Sequence, residues 1–149
     1  MIKYLQFISI FYLITNLAVA ANDLKINSNK LDVDRNSKIS IFSGNVYAYN
    51  EDIKIWSEKL IIKFNIKDNK IKEIQAENKV KIINQGITAT GERGIYRPDK
   101  DIVNIYGNVE VTENDNYVTG DELFLDIKNS ISIMKSTSSK RVEAFIINN

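Results

Sequence analysis

From Leu24 onward, apolar residues alternate with polar ones in short runs, and almost no stretch has helical spacing. Leu24-Lys25-Ile26, Leu31-Asp32-Val33, Ile39-Ser40-Ile41, Ile53-Lys54-Ile55 and Val80-Lys81-Ile82 all follow this rule. So do Val109-Glu110-Val111, Leu123 to Ile127, Ile131-Ser132-Ile133 and the terminal run Val142 to Ile147. A period of two with one apolar side predicts half-buried strands, and Ile, Val, Tyr, Phe and Thr suit a pleated surface. Between the runs sit Asp34-Arg35-Asn36-Ser37, Asn50-Glu51-Asp52, Lys67 to Lys70, Asn84-Gln85-Gly86, Pro98-Asp99-Lys100, Asn114-Asp115-Asn116 and Lys128-Asn129-Ser130. These predict turns, because Asn and Asp side chains bond nearby backbone and tolerate positive φ. The predicted class is all-β.

The pattern repeats. Ser43 to Phe64 lies without a gap on Tyr106 to Ile127 after a shift of 63 residues. Gly44-Asn45-Val46 then meets Gly107-Asn108-Val109, and Leu60 meets Leu123. A weaker copy between them has Asn78-Lys79-Val80 and Gly91-Glu92-Arg93-Gly94, and Ser28 to Val33 resembles the back half of a truncated first copy. The anchors Leu31, Leu60, Gly94 and Leu123 are spaced 29, 34 and 29 residues apart. Units of this size bury their apolar sides only against neighbouring units. Each Gly-Asn pair falls at a break in the alternation. There it supplies backbone freedom for a bend or bulge in a continuing strand, a two-residue hairpin turn being the other reading.

Composition narrows the function. The 149 residues contain no Cys and no His. The fold therefore relies on its core rather than on disulfides, and the commonest general base and metal ligand are missing. Ser–His and Cys–His nucleophilic arrangements are excluded. Asp121-Glu122, Glu51-Asp52 and Asp99 with Asp101 read as solvated turn carboxylates rather than a facing catalytic pair or a calcium site. No enzyme and no cofactor are expected. At the N-terminus, Lys3, the apolar run Tyr4 to Leu17 and Ala18-Val19-Ala20 form the three-part pattern of a secretory signal peptide. Residues 1–20 are read as that signal and 21–149 as a single domain, with an uncleaved anchor as the alternative. Cleavage after Ala20 would leave 19 basic against 19 acidic residues, which argues against a nucleic-acid partner.

A signal peptide followed by G-N-V, a turn, I-K-I-x-S-E-K-L and a repeat of that pair resembles the LptA/OstA family of periplasmic lipopolysaccharide-transport proteins. The resemblance implies an open antiparallel β-jelly roll built from repeated strand pairs, with a hydrophobic trough for the lipid A acyl chains of lipopolysaccharide. It implies head-to-tail homo-oligomers joined through edge strands, and LptC-like inner-membrane and LptD-like outer-membrane partners. Matching to the family's trough places Leu24, Ile26, Ile82 and Tyr96 as lipid contacts. Alternation adds Val46, Ile55, Leu60, Ile62, Val109, Val118, Leu123 and Leu125, for each of which plain core packing is the other reading. The middle copy departs at Gly94, where the family has Leu, which leaves the trough's shape open there. Trp56 alternates opposite to Ile55 and is expected on the outer side. Two alternatives stand beside the carrier: a membrane-anchored LptC-like component, and a secreted structural β-repeat protein with a closed core.

Overall fold

The computed structural model describes residues 24–51, 53–137 and 139–147, so the expected signal peptide lies outside the described residues. Ten strands are found among them: β1 (Lys25–Asn27), β2 (Lys30–Asp34), β3 (Ile39–Tyr49), β4 (Ile53–Phe64), β5 (Ile71–Asn84), β6 (Ile87–Arg97), β7 (Ile102–Glu113), β8 (Asn116–Asp126), β9 (Ile131–Lys135) and β10 (Glu143–Phe145). All join one antiparallel sheet in the order β1-β3-β4-β5-β6-β7-β8-β10, with β2 also on β3 and β9 also on β8. The predicted turn residues close the hairpins as their chemistry dictates. Asp34 Oδ1 accepts from Asn36 N and Ser37 N, Asn50 Oδ1 from Ile53 N, and Asp126 Oδ1 from Asn129 N, at 2.9 to 3.1 Å.

Each long strand is longer than the segments read from sequence, because each runs through a break in register. On β3, β5 and β7 the break is a pair of left-handed residues. They are Gly44 and Asn45 (φ 81° and 46°), Asn78 and Lys79 (64° and 52°), and Gly107 and Asn108 (81° and 45°). The Gly-Asn pairs thus bend continuing strands and close no hairpin. On β4, β6 and β8 a single acidic residue, Glu58, Glu92 or Asp121, stands opposite the pair. Two of these acids contact a left-handed pair: Glu58 bridges Lys79 at 2.7 Å and Glu92 accepts from Asn108 Nδ2 at 3.1 Å, while Asp121 accepts from Thr137 N, just after β9, at 2.8 Å. The six breaks form a line across the sheet. It divides an anchor half, edged by β2 and β9, from a far half, edged by β1 and β10.

The fold is an open antiparallel jelly roll whose two halves share one core. Val46, Ala48, Val80, Ile87, Val109 and Val111 of the far half join Leu60, Ile62, Ile74, Tyr96, Ile105, Leu123 and Leu125 of the anchor half in a single cluster. The convex side mixes polar and apolar residues, with Gln75 and Asn104 beside Ile61, Ile95 and Phe124 in one cross-strand row. There Glu73 accepts from Lys63 and Gln75 and pairs with Arg97 at 3.0 Å. Burial raises the Glu73 carboxyl, but these hydrogen bonds and the charges of Lys63 and Arg97 outweigh it and hold it below its ordinary value. Trp56 lies on this side, stacked on Tyr47 with centroids 5.0 Å apart and capped by Lys81 Nζ. The expected terminal strand at 142–147 is shorter than the alternation suggested. Only Glu143–Phe145 pairs with β8, and every residue of β10 is exposed.

Candidate apolar interior

Cross-strand register sorts the expected lipid contacts into rows on the concave side. The first row of the anchor half runs Leu31, Phe42, Leu60, Ala76, Gly94, Ile105, Leu123 and Met134. All four repeat anchors stand in it, which is the physical meaning of their spacing. The next row carries Ile62, Ile74, Tyr96, Val103 and Leu125. In the far half, Ile26, Ala48, Ile55, Ile82, Ala89, Val111, Val118 and Ala144 form one row. Val46, Val80 and Val109 follow the left-handed pairs at the bend. Eleven of the twelve expected residues therefore lie in the concave rows or at the bend, and Leu24 precedes β1.

The halves pack closely, and the void between them is small. A cavity of about 50 Å³ is lined by Leu24, Ile55, Leu60, Ile82 and Tyr96 together with Ile53, Ile74, Ala76, Gly94, Ile95 and Val103. Five of the expected residues thus meet at one place. Val46, Ile62, Val109, Leu123 and Leu125 are buried core residues away from it, while Ile26 and Val118 are half-buried. The cavity sits where Ala76 and Gly94 face each other in the anchor row, so the departure of the middle copy produces the void. Ile53 was missed although it shares β4's alternation with Ile55. Ala76 was missed because only the register of the folded sheet sets it beside Gly94.

Gly94 has ordinary strand backbone, and a methyl group there would meet only Val80 Cγ1, at 3.8 Å. Gly94→Ala is therefore expected to raise the unfolding free energy by about 0.5–1 kcal/mol, through lost freedom in the unfolded chain and better filling of the void. A urea titration checks this, and a lower midpoint would show that the site is already full.

Inside the apolar wall, burial pushes the Tyr96 hydroxyl up to about 12, with the charge of Asp101 adding to the effect. The hydroxyl stays protonated at any ordinary pH. A wider, solvent-open hollow of about 1020 Å³ lies at the free margin of the anchor half, lined in part by Phe64, Ile66 and Ile71 with Lys67, Lys70 and Lys72, and holds none of the twelve residues. Among the described residues no group of three or more acids could hold a metal ion.

The ends differ from the middle. Leu31 and Val33 on β2 are exposed at one end, and Ile131, Ile133, Phe145 and Ile146 at the other. Both ends present strand edges, β1 and β2 against β9 and β10.

This arrangement matches known proteins at the level of fold and family. The crystal structure of LptH, the LptA-homologous periplasmic component of the lipopolysaccharide transport device from Pseudomonas aeruginosa, is similar with a TM-score of 0.73. The match covers 87% of this chain and 98% of that one at 11% identity, a likeness that shows the fold. No curated protein matches the chain. The family model for the LptA/(LptD N-terminal domain) lipopolysaccharide transport proteins matches residues 25–131, and the chain belongs to that family.

Proposed function

We propose that this chain is a periplasmic carrier that holds the lipid A acyl chains of lipopolysaccharide between the halves of its bent sheet. The observation that carries this reading is the cavity at Ala76 and Gly94, lined by five residues expected to touch lipid. At about 50 Å³ it has room for a few waters and is far too small for an acyl chain. Loading therefore requires the two halves to part at the margins opposite the bend. About 0.8 kcal/mol per buried methylene gives roughly 10 kcal/mol gross for a chain of about 14 carbons, enough to offset a limited opening. No polar catalytic group is needed for such binding.

The edges support a bridge of stacked copies. Strand edges accept further strands through backbone hydrogen bonds. The anchor row ends on Met134 at one end and begins on Leu31 at the other, so a second copy would continue it with apolar side chains. LptC-like and LptD-like proteins at the two membranes would cap such a bridge in the same way. A closed structural repeat protein is the second reading, favoured by the small size of the cavity.

The test is mass spectrometry of lipid extracted from the protein purified from periplasm, with Ile82→Glu in parallel. Ile82 is half-buried on the cavity wall, so a carboxylate there leaves a path to solvent while placing charge where an acyl chain would lie. Lipid A should co-purify with the wild type and fall at least tenfold in a folded Ile82→Glu. Lipid-free wild type that also fails to take up added lipopolysaccharide would establish the closed structural protein instead.

A further inference from the structure

Three polar side chains buried on the concave side have no hydrogen-bond partner: Ser57 Oγ, the Tyr96 hydroxyl, and both amide atoms of Asn84. Native proteins nearly always pair such groups, so an orphan buried amide calls for a partner that arrives later. Asn84 is the most demanding of the three. It is only 4% exposed, and its Nδ2 and its Oδ1 both stand unpaired. Its place in the fold is specific. Asn84 ends β5 at the free margin of the far half, with Ile53 and Ile87 as its cross-strand partners. Ile53 lines the cavity together with Tyr96.

An amide presents both a donor and an acceptor; another amide meets both in one planar pair, whereas a hydroxyl must do so through a single oxygen. An ester offers acceptors only and would leave Asn84 Oδ1 unpaired. A plain hydrocarbon would leave both atoms unpaired. The free margin is also where a chain inserted between the halves would emerge toward its head group. We propose that Asn84 reads the amide link at the root of a bound acyl chain, so that the interior selects amide-linked chains over ester-linked ones. The Tyr96 hydroxyl, protonated and buried in the cavity wall beside Ile53, is a further donor for the carbonyl. This inference rests on the carrier reading above and adds chemical selectivity to it.

The experiment compares binding of N-tetradecanoylglucosamine and 6-O-tetradecanoylglucose, below their micelle concentrations, to the wild type and to Asn84→Leu. The wild type should bind the amide roughly tenfold tighter than the ester, the size of one well-made hydrogen bond in a buried site. Asn84→Leu should bind both with a ratio near one, and its lipid-free urea midpoint should rise because the orphan amide is gone. Asn84→Ala, which cannot overpack, should lose the preference as well and serves if the Leu variant fails to fold. Equal wild-type affinity for the two lipids overturns the selectivity and leaves the carrier standing. So does a preference that survives both substitutions. Binding of neither lipid by the wild type removes the carrier reading and this one together.

Discussion

Leu60→Ala is expected to lower the unfolding free energy by about 3–5 kcal/mol, the upper part of the range for buried leucines. Leu60 is fully buried in the middle of the anchor row, and its cross-strand neighbour on β5 is Ala76. The size of such a loss depends on how far the surroundings collapse into the space. Here they cannot collapse well, because Ala76 and Gly94 already leave a void beside Leu60 and offer no long side chain to fill it. The new hole would merge with the existing one. Domains of this size have only about 5–15 kcal/mol in hand, so the variant should lose a large share of its stability. A urea titration with an unchanged slope would measure it. A loss below about 1 kcal/mol would mean that the anchor half is loosely packed at its centre.

Gly107→Ala is expected to cost about 1–3 kcal/mol for a different reason. Gly107 sits at φ 81°, in the left-handed region, and its missing side chain leaves room for Glu92. A methyl group would come within 2.6 Å of Glu92 Oε2 and 2.8 Å of its Cβ. The carboxylate can swing aside, though at the loss of its bond from Asn108 Nδ2, whereas the Cβ is fixed to β6. The strain therefore falls on the backbone of the bend itself. Thermal unfolding checks the outcome against Gly94→Ala, the same substitution in ordinary strand backbone. Two variants with the same sign would show that the bend tolerates side chains and that its geometry is not held by glycine.

The contrast between these two glycines shows what was legible in the chain. Strand and turn identity were, because alternation and Asn/Asp clusters act locally. The bend at Gly44-Asn45 was legible because the alternation breaks at a pair that tolerates positive φ. The matching breaks at Glu58, Glu92 and Asp121 were not, since a bulge of ordinary backbone leaves no glycine signature and its acid looks like any solvated carboxylate. Of the concave residues, Val46, Ile55, Leu60, Ile62, Val109, Val118, Leu123 and Leu125 were legible through alternation, and Ile26, Ile82 and Tyr96 through the family resemblance. The cavity was not. It arises from Ala76 facing Gly94, two small residues 18 positions apart that only the register of the folded sheet brings together. Asn84 was hidden for a related reason. It stands in the cluster Asn84-Gln85-Gly86, where turn chemistry explains an asparagine fully, and only its burial separates it from the others.

Each of the six long strands finds its long-strand partners immediately before and after it in the chain. Each pairing therefore closes a short loop, and the entropy lost in bringing the two segments together stays small at every step. Strand pairings of this kind span no more than one hairpin, which limits the contact order that usually slows β-rich chains. The sheet can begin at any one hairpin and grow outward in both directions, as arrays of similar units do. The likeness of β3–β4 to β7–β8 brings a hazard to that growth, because a strand meeting the wrong copy would leave β5 and β6 looped out. The middle copy, with Asn78-Lys79 at its bend and Gly94 in place of leucine, is the one whose sequence differs enough to mark the correct order.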